Sequence, residues 1–148
     1  MLAEFQQALA DLTASPELCI NARKEPAILL ERYELTNREW RRLVGLVNDK
    51  GMQCACIVYR ANRLAPLALN LPETCKALGS NLRSVASEFW NAHPETNVHF
   101  FIETDRFCNF LEAKIAAGHK FTPEVIECLA REHAIVFAGL TESYIEGN

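Results

Sequence analysis

YRANRLAPLALNLPETCKALGSNLRSVASEFWNAHP, residues 59–94, places two prolines, a glycine and a His-Pro pair in apolar, helix-forming surroundings. Proline removes a backbone donor and turns the residue before it away from helical geometry. A helix arriving through Tyr59 is therefore expected to kink at Pro66 or stop by Leu71, and Pro72 to open a short new helix. Gly79 can take the left-handed conformation that ends that helix, and Ser80 can cap the next. Leu82, Val85, Ala86 and Phe89 then share one face, and His93-Pro94 closes the segment. Breaks at these places predict an all-α fold, a compact single-domain helical bundle with a proline-broken central helix.

Upstream, Leu2, Phe5, Leu9 and Leu12 recur at helical spacing. Ser15-Pro16-Glu17 reads as cap, first helical position and acid in the first turn, and Pro26 opens a helix carrying Ile28, Leu29, Leu30 and Tyr33. Thr36-Asn37-Arg38-Glu39 matches a capping box, with Trp40, Leu43, Val44 and Val47 on one face, Arg38, Arg41, Arg42 and Asp49 on the other, and Gly51 at the end. Residues 52–71 are apolar almost all round, which is the pattern of a central helix buried by its neighbours.

Downstream, residues 91–101 are irregular, and alternation at Val98, Phe100 and Ile102 suggests a short extended piece. Thr104 or Asp105 is expected to cap a helix with Phe107, Cys108, Leu111 and Ile115 buried, ended by Gly118. Thr122-Pro123-Glu124 starts the last helix, with Ile126, Leu129, His133, Val136 and Leu140 on its inner face. Residues 1–148 are thus read as a single helical domain, with N-terminal helices over 1–50, a helical core over 52–140 and a frayed tail over 141–148.

The 148 residues carry 49% hydrophobic content, sufficient for a core, and a formal net charge of -4, which opposes generic binding to DNA. The first residues lack the basic start and apolar run of a signal peptide, and no apolar run is long enough to span a membrane, so a cytoplasmic location is expected. The six cysteines lack zinc-ligand spacing and are read as buried, reduced apolar side chains. No nucleophile motif, metal motif or phosphate loop is present, so neither catalytic residues nor a cofactor are expected in this chain.

Arg60, Asn62 and Arg63 are the unusual residues, because charge on an apolar helix needs partners and hydrogen bonds. Either they secure the chain that follows or they face a cleft and bind. With Tyr59, and with His99 and Phe101 from the irregular segment, they form the candidate partner- or peptide-binding set.

Tyr59-Arg60-x-Asn62, Leu71-Pro72 before Leu78-Gly79, Phe89 with His93-Pro94, Phe107, Phe110-Leu111 and Leu129-Ala130-Arg131-Glu132 follow one another over residues 57–138. In this order they resemble the helical N-terminal domain of a bacterial family labelled DNA-binding, whose members accompany multinuclear non-haem iron oxidative enzymes. Its relatives include partner subunits in methanobactin and thiaglutamate biosynthesis. The resemblance implies a non-catalytic subunit that binds an iron-dependent barrel oxidase and helps hold a cysteine-containing ribosomal precursor peptide, the iron residing in the oxidase. Two alternatives stand beside it. One is a DNA-binding or transcriptional module using the Arg38, Arg41 and Arg42 face. The other is a small helical subunit of a ring-opening dioxygenase, which PAILLERYELTNREWRRL, residues 26–43, also resembles.

Overall fold

The computed structural model describes residues 2–96 and 99–146, and every regular element among them is helical. In chain order these are α1 (Leu2–Ala14), α2 (Pro16–Lys24), α3 (Ile28–Arg32), α4 (Asn37–Val47), α5 (Lys50–Asn70), α6 (Pro72–Leu78), α7 (Leu82–Ala92), α8 (Phe100–Ala116) and α9 (Pro123–Glu146), with a 3-10 turn over Gly79–Asn81. The fold is all-α, and the chain divides into two compact units, Met1–Asn62 and Arg63–Asn148. The unit boundary falls inside α5.

The first unit buries Ala8 and Leu12 of α1, Leu18, Cys19 and Ala22 of α2, Leu29, Tyr33, Leu43 and Val47 against Met52 and Cys56. Its helix ends follow their local chemistry. Ser15 accepts from the Leu18 N–H at 3.2 Å, and Thr36 and Glu39 complete the expected reciprocal capping box. Backbone hydrogen bonds from Thr36 lower the Glu39 pKa, reinforced by its hydroxyl. The Tyr33 hydroxyl donates to Asp11 at 2.7 Å, and the Trp40 indole donates to the Pro26 carbonyl at 2.9 Å. Arg23 donates to the Val47 carbonyl, satisfying an acceptor at the end of α4 that the helix itself leaves open. Gly51 does not end α4. It lies in the first turn of α5, where its N–H donates to the Asp49 carboxylate at 2.6 Å.

The second unit buries Leu67, Leu71, Leu78, Val85, Ala86, Phe89, Phe107, Leu111, Leu129 and Val136. Phe89 and Phe107 meet edge-on with centroids 5.2 Å apart. Pro66 lies within α5 without ending it. The helix stops at Asn70, and Leu71, with φ -127° and ψ 51°, makes the break ahead of Pro72. Gly79 ends α6 at φ 52°, as expected, but Ser80 falls within the 3-10 turn and does not cap α7.

Four expectations are corrected. α5 is not buried all round, since Ile57, Val58 and Leu69 are exposed; the two cores draw on only part of its surface. α8 begins at Phe100, so Thr104 and Asp105 are interior to the helix, and Phe100 and Ile102 are helical rather than extended; Val98 lies outside the described residues. Buried Glu103 and Thr104 interrupt the apolar period there and hide the first turns from a pattern reading. On α9 the buried side is Val125, Cys128, Leu129, Glu132 and Val136, while Ile126 is exposed. That helix runs to Glu146, and the last two residues of the expected tail lie outside the described residues.

Candidate interaction site

Pro72 lacks a backbone donor, so the first turn of α6 presents the N–H groups of Glu73 and Thr74. Glu132, reaching from α9, accepts both at 2.9 and 2.8 Å and also accepts the Thr74 hydroxyl at 2.6 Å. Leu71 cannot cap with its side chain, and a carboxylate nearly a whole second unit away in sequence takes that place.

A second buried carboxylate anchors α8. Arg63 is 4% exposed and Glu103 1%. Arg63 donates from Nε and Nη2 to one oxygen, Glu103 Oε1, at 2.8 and 2.6 Å. The guanidinium carbon also lies 5.7 Å from the Phe89 ring centroid and 6.0 Å from that of Trp90. Glu103 Oε2 has no hydrogen-bond partner among the described residues. A charge pair withdrawn this far is costly to break, because either survivor would be left unpaired in a low-dielectric surround. Thr104 next to it donates to the Phe100 carbonyl at 2.7 Å and accepts from the Asn70 amide at 3.1 Å.

His133 joins α9 to α8 from both sides of its ring. Nε2 lies 2.8 Å from Asp105 and Nδ1 2.7 Å from Glu112. Burial pulls the imidazole pKa down, but hydrogen bonds and charge from the two carboxylates outweigh this and raise it. The carboxylates sit on opposite nitrogens, an arrangement that suits an imidazolium and cannot converge on one ion. Among the described residues no group of three or more His, Cys, Asp or Glu side chains is arranged to hold a metal.

In the first unit Cys19 and Cys56 approach to 4.0 Å, and both face the Leu12 carbonyl, at 3.0 and 3.3 Å. Burial and then the neighbouring thiol push the Cys19 pKa up to about 12, so it is a protonated packing group. Cys108 is likewise buried, but Cys54 is exposed, against the expectation of buried cysteines throughout.

The expected binding set separates on this structure. Tyr59, Arg60 and Asn62 belong to the first unit, whereas Arg63, His99 and Phe101 belong to the second. Asn62 is exposed and Tyr59 half-buried. Arg60, its side chain mostly buried, pairs with the exposed carboxylate of Glu17 at 3.2 Å. Arg63 is turned inward onto Glu103, which gives it the fold-securing role of the two weighed for it. His99 is exposed at the start of α8, with its ring centroid 6.0 Å from that of Phe101. Phe101 packs over Gly139, where a methyl group would come within 3.2 Å of the ring.

Sequence pattern missed the exposed apolar residues of α9. Ile135 is 65% and Phe137 64% exposed, and Ile126 is also open; Ile126 and Phe137 share one flank of the buried stripe, and Ile135 lies on the other. The signal for them was available as an excess of apolar residues over what one buried stripe needs. No helix among the described residues is long and apolar enough to cross a membrane.

Comparison of the chain with family models, with curated proteins and with solved structures finds no match in any of the three.

Proposed function

We propose that the protein is a non-catalytic partner subunit of an iron-dependent barrel oxidase acting on cysteine in a ribosomally made precursor peptide. The observation that carries the partner role is on α9, where Ile126 and Phe137, about three helical turns apart on one side of the helix, are both exposed beside its buried stripe. Large apolar side chains of this kind on a rigid element suit a protein interface. The nature of the partner rests on the resemblance over residues 57–138. Tyr59, Arg60 and Asn62 of the first unit, and His99 and Phe101 of the second, are the accompanying donors and aromatics proposed to contact the enzyme or the peptide.

Co-expression with an iron-binding barrel protein encoded beside this chain, followed by affinity purification, tests the reading. A stable complex is expected, and Phe137→Asp should abolish it while the thermal midpoint stays nearly unchanged, since that side chain is mostly exposed. Absence of a complex with the unaltered chain would overturn the proposal.

A further inference from the structure

Helix α4 is well made at its start and on its inner face, yet its outer face breaks local rules. Arg38 stands in the first turn, at the positive end of the helix dipole. Arg38 and Arg42 are like charges four residues apart, a spacing that destabilises a helix. Gly45 sits in the helix interior, where glycine is less favourable than alanine.

Among the described residues, no ion pair or internal packing offsets these features. Arg38, Arg41 and Arg42 are exposed, and none forms an ion pair among the described residues. A side chain at Gly45 would meet nothing within 4 Å, so no internal packing calls for glycine there. At 100° per residue, Gly45 lies in the middle of the arginine face, one turn beyond Arg41 and Arg42. Departures from local preference that bring no internal return belong to sites used by something outside the molecule.

From this we infer that the outer face of α4 docks an acidic protein segment, whose carboxylates pair with Arg38, Arg41 and Arg42 while its backbone crosses at Gly45. Guanidinium groups match carboxylates bidentately, and a missing Cβ allows two backbones to approach closely. Phosphates would suit arginine equally. The chain as a whole carries 19 acidic against 15 basic residues, so its field opposes an extended polyanion such as DNA, whereas a short segment meets only the local patch. This inference is independent of the iron-oxidase reading.

The test is fluorescence anisotropy on the full chain at low salt, with a labelled polyglutamate peptide and, in parallel, a labelled DNA duplex. The peptide should bind, and replacing Arg38, Arg41 and Arg42 together by glutamine should weaken it by about tenfold or more. That variant should also melt no lower than the natural chain, because it removes repulsion. Gly45→Gln should weaken peptide binding while raising the melting temperature. Failure of the peptide to bind, equal binding by the triple variant, or unchanged binding by Gly45→Gln overturns the inference. Tighter binding of the duplex, lost in the triple variant, overturns it in favour of a nucleic-acid surface.

Discussion

The two compact units solve the same problem of helix packing with different chemistry. In the first, Met1–Asn62, the core is apolar apart from the buried thiols of Cys19 and Cys56 and the Tyr33 hydroxyl, and its capping box lies at the surface. In the second, Arg63–Asn148, Arg63, Glu103, Thr104 and Glu132 are buried and joined across helices. Apolar contact is tolerant of small shifts in register, whereas a buried carboxylate accepts only donors in the right place. The second unit therefore spends stability on charge burial and gains a more narrowly defined arrangement of α6, α8 and α9.

The sharpest way to break this contrast is to unpair the buried charge. Glu103→Ala should destabilise by about 3–5 kcal/mol in urea denaturation, because Arg63 stays buried without its partner. The joint replacement Arg63→Met with Glu103→Leu should recover most of that loss. A cost below about 1 kcal/mol for the single change would show that the pair is solvated and the contrast unfounded.

Next in size is the difference between the two caps. Glu132→Ala orphans two backbone donors and the Thr74 hydroxyl in a buried setting, for an expected loss of about 2–3 kcal/mol. Thr36→Ala removes an exposed cap in the first unit and should cost about 1 kcal/mol. Equal losses, measured by the same denaturation curves, would mean that burial adds nothing to the Glu132 cap.

A smaller effect separates the units by pH. His133 has its pKa raised above the ordinary value of 6.5 in the folded state. Its contribution is thus complete below 6.5 and is lost as pH rises through the folded value. Stability of the second unit should therefore decline as pH rises above 6.5, modestly because the setting is partly exposed. His133→Gln should flatten that slope, and NMR titration of the imidazole should place its midpoint above 6.5. A midpoint below that value would overturn the account of the two carboxylates.

The smallest expected difference concerns two helical glycines. Gly45→Ala, facing open space in the first unit, should stabilise by about 0.5–1 kcal/mol. Gly139→Ala in the second unit meets the Phe101 ring at 3.2 Å and should gain less. Thermal melts of the two variants decide this, and a larger gain at Gly139 would show that the Phe101 ring yields freely.

Local chemistry was legible wherever neighbours in sequence are also neighbours in space. Ser15, Thr36 with Glu39, Pro72, Gly79, Gly118 and Thr122 mark helix ends that the structure reproduces, because caps and positive-φ glycines act within a few residues. The all-α class and the inner faces of α4 and α7 followed from periodicity. Of the candidate residues, Arg63 is buried and paired while Asn62 is exposed, and these directions were not legible. A charged residue on an apolar helix looks the same in sequence whether its partner is solvent or a carboxylate on another helix.

The amino-acid sequence by itself therefore determined the helix ends at Ser15, Thr36, Pro72, Gly79, Gly118 and Thr122 and the apolar faces of α4 and α7. Only the tertiary structure decided that Arg63 meets Glu103 across 40 residues, that Glu132 caps α6 across 58 and 59, and that His133 finds Asp105 and Glu112. These pairings are set by how helices pack, a balance of apolar burial over the whole unit, and no local pattern encodes which carboxylate arrives. The same balance placed the boundary between units inside α5, where the sequence runs on as one uninterrupted helix.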